Sequence, residues 1–255
     1  MFFPLSDDDR TLDGPAWVTW TLIGINLLVF AYQAANPEFT QGYSMVPKEI
    51  TTGVDLVDSE FIEFDGQVVE IPQHSGPPII FLTLFTSMFM HGGLMHIAGN
   101  MLYLWIFGDN VEHRFGHLWF LIFYLISGLV ASAAQIALNP LGIIPNLGAS
   151  GAIFGVLGAY LVLFPRNQVK VIVMYYVVSL PAMVVIGVWA GIQFVFTWNS
   201  IYADQQSGGV AYAAHAGGLL AGVLMGLLAR SLFREEPDSA LHRIDDRDPK
   251  SRIMW

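Results

Sequence analysis

The sequence contains no cysteine. Disulfides, thiol nucleophiles and thiolate metal sites are therefore excluded outright. Charge is also scarce. Only 13% of the 255 residues are Asp, Glu, Lys or Arg, where a soluble domain carries about 25%. With 54% hydrophobic residues and a mean hydropathy of +0.54, that deficit defines an integral membrane protein before any motif is read. Lys and Arg total 11 and form no basic patch, so nucleic acid is not an expected partner. The net charge of -10 is carried by Asp7 to Asp9, by Glu49 to Glu70 and by Glu235 to Asp248. Such runs are most simply solvated segments outside the bilayer.

What is present is a series of apolar runs. Residues 1–15 form a short polar lead-in, amphipathic or irregular. Trp17–Ala35 reads as a first membrane helix. Its leading segment is acidic rather than basic and its apolar core is too long for a secretory signal. Residues 37–78 are polar and acid-rich, and Glu60–Phe64 and Gln67–Ile71 alternate as a short hairpin would. Ile79–Met90 is apolar but too short to span, so a re-entrant or interfacial element is expected. Further spans are expected over Gly92–Phe107, Leu118–Leu138, Ala149–Phe164, Val169–Trp198 and Gly209–Leu232, followed by a polar tail over 233–255. The fold class is thus an all-α, six-transmembrane-helix membrane protein: a 1–15 lead-in, a 16–232 domain whose first loop (37–91) is extended and partly re-entrant, and the tail.

Six spans place the N-terminus, the second and fourth loops and the C-terminus on one side. That side holds Arg10, Arg114, Arg166, Lys170, Arg230, Arg234, Arg243, Arg247, Lys250 and Arg252, and the other holds Lys48 alone. The asymmetry sets both termini in the cytoplasm. The second, fourth and sixth spans then run from outside to inside. His96 and Asn100 lie early in the second, Ser150 at the head of the fourth, and His215 about six residues into the sixth, or roughly 9 Å at helical rise. Four polar side chains fall at one depth, just below the outer surface.

Each has a bland reading. Serines in membrane helices often bond back to a carbonyl or sit at a close helix contact. His215 can be a structural histidine, and His96 and Asn100, one turn apart, can be interhelical hydrogen-bonders. Together they support chemistry. Gly151, Gly155 and Gly158 face one way, and Gly218, Gly222 and Gly226 form a small face at four-residue spacing, so two helices can pack closely enough to bring Ser150 to His215. Two donors on the His96/Asn100 face suit a developing oxyanion. Phe154, one turn beyond Ser150, can stack on the imidazole. No Asp or Glu falls in the outer halves of the spans, so a two-residue Ser–His unit is expected rather than a triad. His91, five residues before His96, is expected to point elsewhere and to close the re-entrant segment. A zinc site from His91, His96 and His215 ranks low, because no carboxylate base lies near and the His-Glu-x-x-His pattern is missing.

Gly148-Ala149-Ser150-Gly151, His91-x-x-x-x-His96-x-x-x-Asn100, Ala214-His215-x-x-Gly218-x-x-x-Gly222 and Trp105 to Glu112 together resemble the signatures of the rhomboid family of intramembrane serine proteases. The resemblance covers about Leu82 to Leu228. It implies Ser150 as nucleophile, His215 as general base and then acid, and an oxyanion hole of His96, Asn100 and the Ser150 backbone N–H. It implies Gly148, Gly151, Gly218 and Gly222 as supporting glycines, a first-loop element over Ile79–Met90, loop 199–208 as a cap, and the fifth span as a mobile gate. No cofactor or metal is implied. The implied partners are the lipid bilayer and single-span membrane-protein substrates, cut near the outer end of the span. Two departures stand out: Phe154 where many members have tyrosine, and Leu82-Thr83 where some have Trp-Arg. A catalytically inactive rhomboid-like client-binding protein is the alternative; it would be expected to lack Ser150 or His215, and both are present. A proton-relaying carrier would need charged residues along the inner half of the spans, where none is seen. Six spans without a targeting leader suggest a prokaryotic plasma membrane, with the active site opening to the extracytoplasmic side. The oligomeric state is left open.

Overall fold

The first helix, α1 (Trp17–Ala35), begins without a side-chain cap of its own. A helix start leaves backbone N–H groups without intrahelical acceptors. Here the buried Glu112 carboxylate accepts from Val18 N at 2.9 Å and Thr19 N at 2.7 Å, and meets His117 Nδ1 at 2.5 Å. A negative group is also favourable at the positive end of the helix dipole. Glu112 sits near the end of α5 (Leu94–Phe115), and α6 (His117–Leu138) begins after a single residue. That residue, Gly116, has φ +78°, a conformation that favours glycine. One turn therefore joins two long helices and positions the carboxylate that caps a third.

In this computed structural model, residues 2–7, 14–64, 66–202 and 212–232 are described. The first loop holds α2 (Pro37–Tyr43), α3 (Pro47–Thr52), strands β2 (Glu60–Phe64) and β3 (Gln67–Ile71), and the short helix α4 (Thr83–Thr86) with a 3-10 turn on either side. Then come α5, α6, α7 (Ser150–Leu163), strands β4 (Gln168–Val173) and β5 (Tyr176–Pro181), α8 (Ala182–Tyr202) and α9 (Tyr212–Leu232). Among the described residues, Trp17–Ala35, His117–Leu138 and Tyr212–Leu232 are long and apolar enough to cross a membrane. Ile80–Phe89 joined to Leu94–Phe115 at a 77° bend forms a fourth candidate, and Ser150–Leu163 and Ala182–Ile192 are shorter apolar helices. The outer faces are strongly apolar, with Leu28 73% and Met95 83% exposed. A surface of this kind suits lipid rather than water. The chain is an integral membrane protein.

The all-α expectation needs correction. Gln168–Val173 and Tyr176–Pro181 form strands rather than the start of the fifth span, and helix begins only at Ala182. The run is rich in β-branched residues and alternates: Val169 and Val171 are fully buried while Gln168 and Lys170 are exposed. Period-two burial of this kind is a strand property that hydropathy alone conceals. The lead-in is not wholly irregular either. Strand β1 (Phe2–Ser6) pairs antiparallel with β4, giving a three-stranded sheet in the order β1-β4-β5. Just after β1, Asp7 accepts from Asn110 Nδ2 at 2.8 Å and Tyr160 Oη at 2.5 Å, tying the N-terminal segment to α5 and α7. The β2–β3 hairpin forms as its alternation requires. The second helix continues past Phe107 to Phe115. The 233–255 tail and most of loop 199–208 lie outside the described residues.

The first loop is stitched to the segment that leads into α7. Met45 and Asn146 exchange backbone hydrogen bonds of 3.0 and 2.8 Å, and Lys48 N donates to Gly142 O at 3.0 Å. Gln73 Nε2 donates to Ile143 O at 2.7 Å and Thr51 Oγ1 to Pro140 O at 2.7 Å. Within this platform Glu49 is buried, with Leu56 N donating to it at 2.9 Å. Burial, with a smaller contribution from Asp55, pushes its pKa up to about 7, while the Leu56 bond pulls the other way. An acid whose folded pKa is raised binds more protons folded than unfolded. Its contribution is present below the unfolded pKa and is lost as pH rises toward 7. In thermal unfolding from pH 4.5 to 8, the melting temperature of the wild-type protein relative to Glu49→Gln should fall as pH rises to about 7 and then level off.

Candidate functional site

Close packing of α7 on α9 builds the site. A Cβ placed on Gly218 would overlap the backbone carbonyl of Gly151, and one on Gly222 would overlap that of Gly155. A Cβ on Gly158 would meet the Leu219 carbonyl. The two backbones thus touch along three successive turns, which no other residue type permits. Gly151 needs a refinement: its own open side faces Ala131 of α6, at 2.6 Å from an added Cβ, while its carbonyl meets α9. The glycine face therefore serves two neighbours.

This contact sets Ser150, at the head of α7, against His215, one turn into α9. His215 Nε2 accepts from Ser150 Oγ at 2.8 Å. Phe154 lies parallel to the imidazole, with ring centroids 4.3 Å apart and 14° between planes. Behind it, Trp189 of α8 packs on Phe154 at 5.7 Å and on Tyr103 at 4.9 Å.

The segment before Ser150 is held as firmly. Gly148 has φ +133°, and its N–H donates to Ser87 O at 2.8 Å. An added Cβ there would lie 2.9 Å from His96 Cε1 and Nε2 and 3.6 Å from Ser150 Oγ. His96 therefore reaches the Ser150 loop with its Nε2 edge. Its other nitrogen, Nδ1, accepts from Gly92 N at 3.3 Å, which assigns the proton of the neutral ring to Nε2. Asn100 is buried, and its Nδ2 has no partner among the described residues. A buried amide donor left unmade costs free energy unless something accepts from it. Ser150 lines an open cavity of about 40 Å³ together with Met45, Met88, Gln135, Asn146 and Gly148.

Two features escaped the motif reading. His91 does not point away: its ring meets His96 edge to face at 5.1 Å. Its backbone is clamped by Gln33 of α1, which accepts from His91 N at 2.9 Å and donates to His91 O at 3.3 Å. A lone glutamine near the end of an apolar helix is the available signal for Gln33. Trp189 carries none beyond being aromatic.

Several helices of membrane-crossing length place the chain among polytopic membrane proteins, and a hydrogen-bonded serine–histidine pair lies between α7 and α9. A rhomboid domain model matches residues 80–232, more than half of the chain, and the protein belongs to the rhomboid family. It is 29% identical over 218 residues to Rhomboid protein 1, mitochondrial, of Saccharomyces cerevisiae, covering 83% of this chain and 53% of that protein. It is 42% identical over 85 residues to Rhomboid protease GluP of Bacillus subtilis, covering 33% of this chain and 16% of that protein. RHOMBOID-like protein 1 of Arabidopsis thaliana is 42% identical over 78 residues, covering 31% of this chain and 20% of that protein. The chain spans about half the length of the yeast relative and less of the other two.

The glycine contact makes a direct prediction. Gly222→Val should force α7 and α9 apart and cost about 1–3 kcal/mol of stability, seen as a lower melting temperature in detergent. Leu224→Val, on the exposed side of the same helix, should leave it nearly unchanged.

Proposed function

We propose that this protein is an intramembrane serine endopeptidase that cuts single-span membrane proteins in or near their membrane segment with a Ser150–His215 dyad. The observation that carries this reading is the 2.8 Å hydrogen bond from Ser150 Oγ to His215 Nε2, at a helix start, with the buried Asn100 Nδ2 left without a partner among the described residues. In the proposed reaction His215 Nε2 takes the hydroxyl proton as Ser150 Oγ attacks the peptide carbonyl. The oxyanion is met by the Ser150 N–H, by Nε2–H of His96 and by Nδ2 of Asn100. The Ser150 N–H is in the first turn of α7, where N–H groups have no intrahelical acceptor and the helix dipole favours negative charge. His215 then gives its proton to the leaving amine, and a water activated by the same nitrogen releases the acyl product. Phe154 fixes the plane of the imidazole by stacking, a role that a ring without a hydroxyl fills. The chemistry draws on no cofactor.

The same reading completes the topology. Six spans, with α7 and α8 as the fourth and fifth, put both termini and the β1-β4-β5 sheet on the cytoplasmic side and Ser150 just below the opposite surface. Water from that side enters the Ser150 cavity, and the end of a client helix unwinds into it.

In liposomes with a single-span substrate, Ser150→Ala and His215→Ala should each cut at below about one-thousandth of the wild-type rate. Asn100→Ala should lose about 10²–10³ in kcat. Phe154→Tyr should stay within about threefold of wild type, since the stack survives. Wild-type cleavage by either dyad variant would contradict the mechanism, and a wild-type protein that binds but never cuts such substrates would favour a client-binding role.

A further inference from the structure

The β2–β3 hairpin serves neither the dyad nor the bundle. Its register pairs Phe61 with Glu70 and Glu63 with Val68. Side chains alternate across a sheet, so these four share one face. All four are exposed, Phe61 by 63% and Val68 by 73%, whereas Ile62 and Ile71 on the other face are half-buried. The outward face is therefore a chequerboard of two apolar and two acidic side chains. Among the described residues the sheet has two strands, whose long edges pair with no further strand, and such edges are templates for one.

A hairpin alone is marginally stable. This one is pinned at its base: Lys48 Nζ meets Glu60 Oε1 at 2.8 Å, and Gln73, two residues past β3, holds Ile143. Ile143 belongs to the segment that delivers Ser150, so the base of the hairpin is tied to that segment. Its charge is uncompensated. Residues 37–78 carry Glu38, Glu49, Asp55, Asp58, Glu60, Glu63, Asp65 and Glu70 against Lys48 alone, and Lys48 is taken by Glu60. Two such faces from separate copies would gather four carboxylates with no cation between them, which disfavours self-pairing. Anionic lipid headgroups are repelled for the same reason.

We propose that β2–β3 is a docking edge for the extended, extramembrane segment that flanks the cleavage region of a client protein, recognised by an apolar residue two positions from a Lys or Arg. A strand added beside β3 continues its face, setting an apolar side chain next to Val68 and a cation next to Glu70. A strand added beside β2 meets Phe61 and Glu63, so either edge selects the same pattern. The hairpin thus gives substrate choice a determinant outside the membrane. This inference rests on the protease reading above and adds the chemistry of the flank.

The test uses the full-length protein and two routes. In liposomes, two single-span substrates share one membrane segment and differ only in a flank that repeats Val-Thr-Lys-Thr or Val-Thr-Glu-Thr, which puts Val and the charged residue on one strand face. Wild-type protein should show a KM about two- to fivefold lower for the Lys flank at equal kcat, the scale expected of one exposed charge pair. Glu63→Lys/Glu70→Lys should reverse the order, and a substrate without the flank should not distinguish the two proteins. Equal KM for both flanks with wild-type protein would overturn the proposal. The second route needs no cleavage. On a Ser150→Ala background, a fluorescent Val/Lys flank peptide should bind by anisotropy, weaken with salt, and lose affinity at least about fivefold in the doubly charge-reversed hairpin. Absence of such binding, or binding indifferent to the reversal, sinks the docking edge whatever becomes of the protease reading. Loss of cleavage with peptide docking intact sinks only that reading. Because the substituted side chains are exposed, an unchanged melting temperature checks that the variant is folded.

Discussion

Everything at the site depends on two helix backbones in direct contact. Gly218 and Gly222 of α9 lie against the carbonyls of Gly151 and Gly155 of α7, a separation that a single methyl group would not allow. In lipid there is no hydrophobic drive between helices, so close packing and interhelical polar contacts must hold them. The Ser150–His215 hydrogen bond is one product of that approach and the Phe154–His215 stack another. The imidazole is held by a ring on one face and by the serine at its Nε2.

The two ends of the bundle are secured by different means. At the Ser150 end, backbone exchange between Met45 and Asn146 and the Ser87–Gly148 bond lock the approach to α7, so that Gly148 presents the loop before Ser150 to His96. At the far end a buried carboxylate, Glu112, gathers the start of α1 and of α6, and Asp7 gathers α5, α7 and the N-terminal strand. A site that must be held to tenths of an ångström is thus carried on helices braced at both termini. The helix that leads away from the braced sheet, α8, touches the site mainly through Trp189, stacked on Phe154 and Tyr103.

The legible parts of the sequence were those where chemistry is confined to few residue types. Ser150, His215, His96 and Asn100 are polar side chains in apolar runs, each expensive unless used, and the glycine spacing states the helix contact almost directly. The hairpin over 60–71 was visible because a solvated strand alternates. The sheet at the other end was not. Val169 to Leu180 is apolar apart from Lys170 and Ser179, and hydropathy scores an apolar strand and an apolar helix alike; only the β-branched run and Pro181 separated them. Gln33 was missed and His91 misjudged because their partnership joins residues 58 apart in the chain, which no local pattern reports.

The most direct measurement is the rate and position of labelling by a fluorophosphonate, mapped by mass spectrometry, in wild-type protein and in Gly222→Val at a temperature where both are folded. The account predicts one adduct, on Ser150, with labelling of the Gly222 variant slowed at least about tenfold as the imidazole leaves hydrogen-bond reach. An adduct on any other residue, or equal rates in the two proteins, would contradict the claim that the α7–α9 contact creates the nucleophile.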